Sequence, residues 1–212
     1  MWVPILLTVL SCYLLGNLNG AVSVTTIFSQ EDIRKKGSGN AGLTNFIRNF
    51  GFHKAILVVL IDAGKAVLAC FLGKCLLEPY GYPQEGMMLG AVAVSLGHDF
   101  PVTLGFRGGK GILSGFAVAM TMDFRCGLVI LGVFLVAVAL TRYVSLGSVL
   151  GALSLSVFYA VVYRHQPYLM AGGMLLGILA IIMHRSNLVR LIQGTESKIH
   201  FGKKNTGSGS VE

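Results

Sequence analysis

KAILVVLIDAGKAVLACFLGKCLL, residues 54–77, is an apolar run with Asp62 and Lys65 set three positions apart near its middle. A helix needs roughly 17 to 25 residues to cross a bilayer, and this run has that length. Charges at such depth are expensive in hydrocarbon unless they pair, and an i,i+3 spacing places them on one helix face. The stretch therefore reads as a transmembrane helix with an internal structural ion pair. The same apolar pattern recurs on both sides, at about Pro4–Val24, Gln84–Leu104, Gly111–Met122, Phe124–Leu140, Ser145–Val162 and Tyr168–Met183. The expected fold is an all-α, polytopic membrane bundle of about seven transmembrane helices. The Gly111–Met122 segment is short and reads as a half-helix starting inside the membrane; a five-span alternative demotes it and one neighbour.

Composition agrees. Of 212 residues 54% are hydrophobic and only 12% are charged, against about a quarter charged in ordinary globular chains. With a mean hydropathy of +0.72, too little polar surface remains for a soluble domain, which excludes disorder and a soluble nucleic-acid binder. No Lys or Arg precedes Arg34, so the first apolar run lacks the basic flank of a cleaved signal and is read as a retained span. Cys12, Cys70, Cys75 and Cys126 lie in or beside apolar stretches without a CxxC pair. They are expected to pack as small apolar residues, with no disulfide, metal site or cofactor.

The formal net charge of +8 is unevenly spread. One set of loops carries Arg34, Lys35, Lys36, Arg48, Lys54, Arg107, Lys110, Arg142 and the basic residues from Arg185 to Lys204; the other carries only Lys74, Arg125 and Arg164. Basic loops stay cytoplasmic, which places the N-terminus outside and the C-terminus in the cytoplasm. Residues 1–198 are expected to form one membrane domain, and residues 199–212, with GSGS at 207–210, a flexible polar tail.

The polar motifs all fall on the cytoplasmic side. DIRKKGSGNAGLTN, residues 32–45, combines Gly37 and Gly39, which let backbone approach a ligand, with the neutral donors Ser38, Asn40, Thr44 and Asn45, and the cations Arg34 and, just beyond the segment, Arg48 flank them. That mixture suits a phosphate oxyanion; its bland counterpart is a polar turn rich in turn formers. The GxGxxG spacing here follows a charged stretch rather than a strand, so no dinucleotide site is implied. GHDFPVTLGFRGGKG, residues 97–111, surrounds Lys110 with Gly108, Gly109 and Gly111 before a helix start, a second candidate phosphate loop. Gly111 stands where a Walker loop requires Ser or Thr, so nucleotide hydrolysis has no support. His98 reads equally as a base, a phosphate donor or a helix-end residue.

HRSNLVRLIQGTE, residues 184–196, puts His184 and Asn187 on one helix face and offers Glu196 as an anchor for a basic neighbour. Arg185 and Arg190 read as side chains snorkelling to lipid phosphates. Arg142 and Ser145, in RYVSLGS, add a smaller polar point.

Taken together and in order, these segments, with LIDAGK at 60–65, resemble the bacterial acyl-phosphate glycerol-3-phosphate acyltransferases, the PlsY family. The resemblance spans nearly the whole chain. It implies a bacterial inner-membrane enzyme with a cytoplasmic active site, acting in phospholipid synthesis on acyl phosphate and glycerol 3-phosphate without a cofactor, nucleic acid or obligatory protein partner. It also implies catalytic roles among Ser38, His98, His184 and Asn187, and substrate binding by Arg34, Gly37, Gly39, Asn40, Thr44, Asn45, Arg48, Gly108, Gly109, Lys110, Gly111, Arg142, Ser145 and Glu196. The runner-up from another class is a phosphate or lysophospholipid transporter. The HxxxxD pattern of thioester-using acyltransferases is absent.

The charge asymmetry makes a direct prediction. Single cysteines introduced at Ser38, Lys110 and Glu196 should be labelled only from the cytoplasmic side, and those at Tyr82 and Gln166 only from outside. External labelling at position 110 would reverse the topology.

Overall fold

A computed structural model describes residues 1–199; the polar tail expected from 199 onward lies, apart from Ile199, outside the described residues. Among the described residues there are helices and no strands: α1 Trp2–Gly16, α2 Gly20–Ser29, α3 Leu43–Phe50, α4 Ala55–Leu77, α5 Pro83–Asp99, α6 Ile112–Met122, α7 Phe124–Thr141, α8 Val144–Val162, α9 Pro167–Met183 and α10 Arg185–Ile192. Short 3₁₀ turns occupy Ile33–Lys35, Glu78–Tyr80 and Val102–Leu104.

Four helices, α4, α5, α7 and α8, are individually long and apolar enough to cross a bilayer. Two bent pairs raise the number to six: α1 with α2, at 41°, and α9 with α10, at 55°. The remaining apolar helix, α6, has 11 residues, so at 1.5 Å per residue it reaches about 16 Å, roughly half the hydrocarbon thickness. Of the seven expected segments, it is the half-helix.

The break in the first span has a sequence cause. Asn19 caps α2 by accepting from Val22 N at 3.0 Å, as short polar side chains at helix starts do. It also donates to Ala41 O at 3.0 Å. Asn17 accepts from Thr103 N at 3.1 Å. The break thus holds the α2–α3 loop with one asparagine and the α5–α6 loop with the other.

Helix contacts are built on small residues. Ala69 and Gly73 of α4 face Gly86 and Gly90 of α5 so closely that a Cβ added at Gly73 would lie 2.0 Å from Gly86 O, and one at Gly90 would lie 2.3 Å from Ala69 O. In lipid, where apolar burial gives no net drive, such backbone approach is the main source of packing energy. Gly173 leaves room for Tyr159 in the same way on the other side of the bundle, between α9 and α8. Cys12, Cys70 and Cys126 are buried as expected, whereas Cys75 is exposed. Large apolar side chains such as Leu60, Leu135 and Val161 cover the outside, where lipid solvates them.

Gly73→Val should destabilise the bundle by about 1–3 kcal/mol, the usual cost of overpacking, read as a lower thermal midpoint in detergent. Gly64 of the same helix faces open space, so Gly64→Ala should leave the midpoint unchanged or higher. Equal losses in both variants would refute the packing assignment.

Candidate active site

A cavity of about 700 Å³ opens where the α2–α3 loop, the α5–α6 loop, the start of α8 and the α9–α10 junction meet. The polar segments singled out in the sequence therefore share one space.

In the first loop, Asn45 is the organiser. Its buried side-chain amide donates to the carbonyls of Lys36 and Asn40, both at 3.0 Å, and its Oδ1 accepts from Ser38 N at 3.0 Å. The loop winds around this one side chain. Gly37 and Gly39 have φ of +55° and +72°, a left-handed backbone that side-chain-bearing residues rarely adopt. Gly37, Ser38, Asn40, Thr44, Asn45 and Arg48 line the cavity, but Gly39 and Arg34 do not. Arg34 is turned to Asp32, donating from Nη2 at 2.9 Å, and its Nη1 donates to Leu104 O at 2.9 Å. It ties two loops together instead of facing the cavity.

The second loop differs from the expected phosphate wrap. Gly108 N donates to Asp99 O at 3.2 Å and Gly109 N to His98 O at 3.1 Å, so both amides are spent on the end of α5. Neither glycine is on the cavity wall, whereas Lys110, Gly111 and His98 are. A Cβ at Gly109 would fall 2.1 Å from His98 Nε2; glycine is needed there to make room for the imidazole. Lys110 Nζ donates to Asn187 Oδ1. Burial first, and then the nearby Arg190 and Arg185, push the Lys110 ammonium down to about 8, with Glu196 opposing the shift.

His184 ends α9 and begins α10 at the bend. Its Nδ1 lies 2.8 Å from Ala180 O. A carbonyl oxygen only accepts, so Nδ1 carries hydrogen, and in the neutral ring Nε2 keeps its lone pair. Asn187 donates to Glu196 Oε1 at 2.9 Å, and Arg190 Nε donates to Glu196 Oε2 at 2.6 Å. The expected anchoring by Glu196 is present, and its partner Arg190 lines the cavity instead of serving lipid alone. Ser145 also lines it, its buried Oγ without a partner among the described residues. Arg142 is not on the wall; it caps α7 in a left-handed conformation, and its carbonyl accepts from Ile199 N at 2.9 Å.

Two contributions were not anticipated from the sequence. Asp62, read there as half of a structural pair, reaches the cavity, and so does Asn49. The other is an apolar wall from α6, α7 and α8 that includes Phe116, Ile130, Leu131 and Phe134. The cavity therefore offers cations and amides on one part of its wall and hydrocarbon on another, matching an anionic head joined to a chain.

The profile of the glycerol-3-phosphate acyltransferase family matches residues 6–194. This chain belongs to that family. The glycerol-3-phosphate acyltransferase of Thermoanaerobacter pseudethanolicus is 40% identical over 91% of this chain and 94% of its own length. That of Shouchella clausii is 38% identical over 96% and 99%. The fold is similar to the crystal structure of PlsY, an integral membrane glycerol 3-phosphate acyltransferase, in its glycerol 3-phosphate form: TM-score 0.82, 28% identity, covering 92% of this chain and 96% of that one. The lysophosphatidic acid form matches with a TM-score of 0.80. The glycerol-3-phosphate acyltransferase fold is thus shared along nearly the whole described chain.

Lys110 predicts a pH dependence of anion binding. Below about pH 8 the ammonium is charged and attracts an anion; above it the charge is lost. Calorimetric affinity for inorganic phosphate should weaken progressively as pH rises through that value. Lys110→Arg, which keeps its charge, should remove the fall, and an equally steep decline in that variant would assign it elsewhere.

Proposed function

We propose that the protein transfers a fatty acyl group from acyl phosphate to the 1-hydroxyl of sn-glycerol 3-phosphate, giving lysophosphatidic acid and inorganic phosphate, as the first acylation of phospholipid synthesis. The observation that carries this reading is the mixed wall of the large cavity. Lys110, Arg48 and Arg190 gather beside the polar loops, and α6, α7 and α8 supply apolar surface in the same space. Both substrates carry phosphate, and one also carries a chain that must remain in hydrocarbon. Charge-assisted hydrogen bonds hold the phosphates, while the apolar wall lets the chain stay in a hydrocarbon environment.

The glycerol hydroxyl oxygen attacks the acyl carbonyl carbon, the carbon–oxygen bond to phosphate breaks, and the departing phosphate keeps the electron pair and accepts the hydroxyl proton. A mixed anhydride is already activated, so no acyl-enzyme is required. Ser38 supports this direct route: its backbone N–H is held by Asn45, and among the described residues no base is hydrogen-bonded to its hydroxyl, as an activated serine nucleophile requires. Lys110, Arg48, Asn187 and Ser145 are positioned to stabilise charge on the phosphates and the developing oxyanion. The proposal includes a bacterial inner-membrane location, a cytoplasmic cavity mouth, the N-terminus outside, and residues 1–198 acting as one unit with a polar tail.

Purified protein in detergent should make lysophosphatidic acid from this donor and acceptor; a transporter would make none and would show only flux across sealed vesicles. With acyl phosphate alone, neither a stoichiometric burst of phosphate nor an acylated protein should appear by mass spectrometry. An acyl-Ser38 adduct able to pass its chain to glycerol 3-phosphate would replace the direct route with a two-step one.

A further inference from the structure

Lys65, Asp62 and His98 form a buried cluster where α4 meets the end of α5 and the break between α1 and α2. Lys65 Nζ lies 2.9 Å from Asp62 Oδ1, 3.1 Å from Gly16 O, against Leu18 O and 2.8 Å from His98 Nδ1. Three of these four neighbours are oxygens that only accept. An ammonium has three N–H groups and no lone pair, so His98 Nδ1 must face it with a lone pair and share one of its protons.

The other protonation states fit worse. A neutral Lys65 would have only two N–H groups for three oxygens, and beside a neutral His98 it would leave the Asp62 carboxylate buried without a counter-charge, which is strongly unfavourable. An imidazolium would direct its Nδ1–H at the ammonium. Asp62 Oδ1 stands 3.6 Å from Nδ1, too far for a hydrogen bond that would hold a proton there. The charged groups beside His98 are thus Asp62 and Lys65 from α4, while Lys110 lines the same cavity from the α5–α6 loop.

We infer that Lys65, held by Asp62, fixes His98 as the neutral Nε2–H tautomer, so that His98 serves the cavity as a hydrogen-bond donor and not as a base. Lys65 and Asp62 are then positioning residues for the reaction. His184, held through Nδ1 by Ala180 O, is set the opposite way and offers a lone pair at Nε2. The two histidines look interchangeable in sequence, but their neighbours give them opposite polarity. The catalytic use of the His98 donor rests on the proposed acyl transfer; its tautomer does not.

The test uses the full chain labelled with ¹⁵N-histidine in nanodiscs at neutral pH, the His98 signals being assigned by their loss in His98→Gln. The unsubstituted protein should show His98 neutral, with hydrogen on Nε2 and an unprotonated Nδ1. An Nδ1–H ring or an imidazolium would overturn the inference without any variant having to fold. In Lys65→Met the Nδ1 signal should move toward a protonated or mixed form; an unchanged tautomer would remove Lys65 from the positioning role. In the acyl phosphate assay His98→Ala should lower kcat by about 10²–10³, as loss of an oxyanion donor does, and His98→Gln, which retains an N–H, should recover at least about tenfold of that. A Gln variant no better than Ala would refute the donor role. Absence of acyl transfer in the unsubstituted protein, with the tautomer as expected, would sink the functional reading and leave the Lys65–His98 assignment standing.

Discussion

The ion pair of Asp62 and Lys65 is the constraint around which this bundle is organised. Two charges inside a membrane helix must find partners within the protein, because hydrocarbon provides none. One pair bond is not enough for an ammonium with three protons and a carboxylate with several lone pairs. The interrupted first span supplies the remainder: Gly16 and Leu18 offer carbonyls that an intact helix would have used internally, and Gly20 N donates to Asp62 Oδ1 at 3.1 Å. The break in α1–α2 and the charges in α4 therefore satisfy each other. Removing either would leave buried polar groups without partners.

From that point the site follows by a few hydrogen-bonded steps. Asn17 and Asn19 flank the break and hold the loops that bring Thr103 and Ala41 inward. Arg34 adds a second tie between those loops through Leu104 O. Asn45 shapes the first loop from within, and the Gly108 and Gly109 amides fasten the second to α5. The cations that face the cavity are thus carried on backbone already committed elsewhere, so they are in place before a ligand arrives.

The apolar part of the site depends on α6. A helix of half the membrane thickness leaves space beside it, and α7 and α8 line that space with Ile130, Phe134 and Gly151. Close packing of α4 on α5 through Gly73, Gly86 and Gly90 keeps the other half of the bundle compact. The large cavity lies beside α6, next to the cations.

Hydropathy by itself determined the helical membrane fold, because apolar length is a local property, and it located the segments now seen as α4 to α9 within a few residues. Residue type likewise marked Ser38, Lys110, His184, Asn187 and Glu196, since basic, amide and hydroxyl groups at the ends of apolar spans are conspicuous. Only the tertiary structure decided which of the marked residues face the cavity. Arg34 and Arg48 have the same chemistry, but Asp32 and Leu104 O draw the first away. Gly109 reads as a phosphate-binding glycine until the ring of His98 is seen against it. Arg190 reads as a lipid contact until Glu196 folds back to meet it. The kink in the first span was equally hidden, for its carbonyl partners lie some fifty residues ahead in α4. Local sequence sets what a group can bind; which partner it meets depends on contacts between segments distant in the chain, and those exist only once the helices have packed.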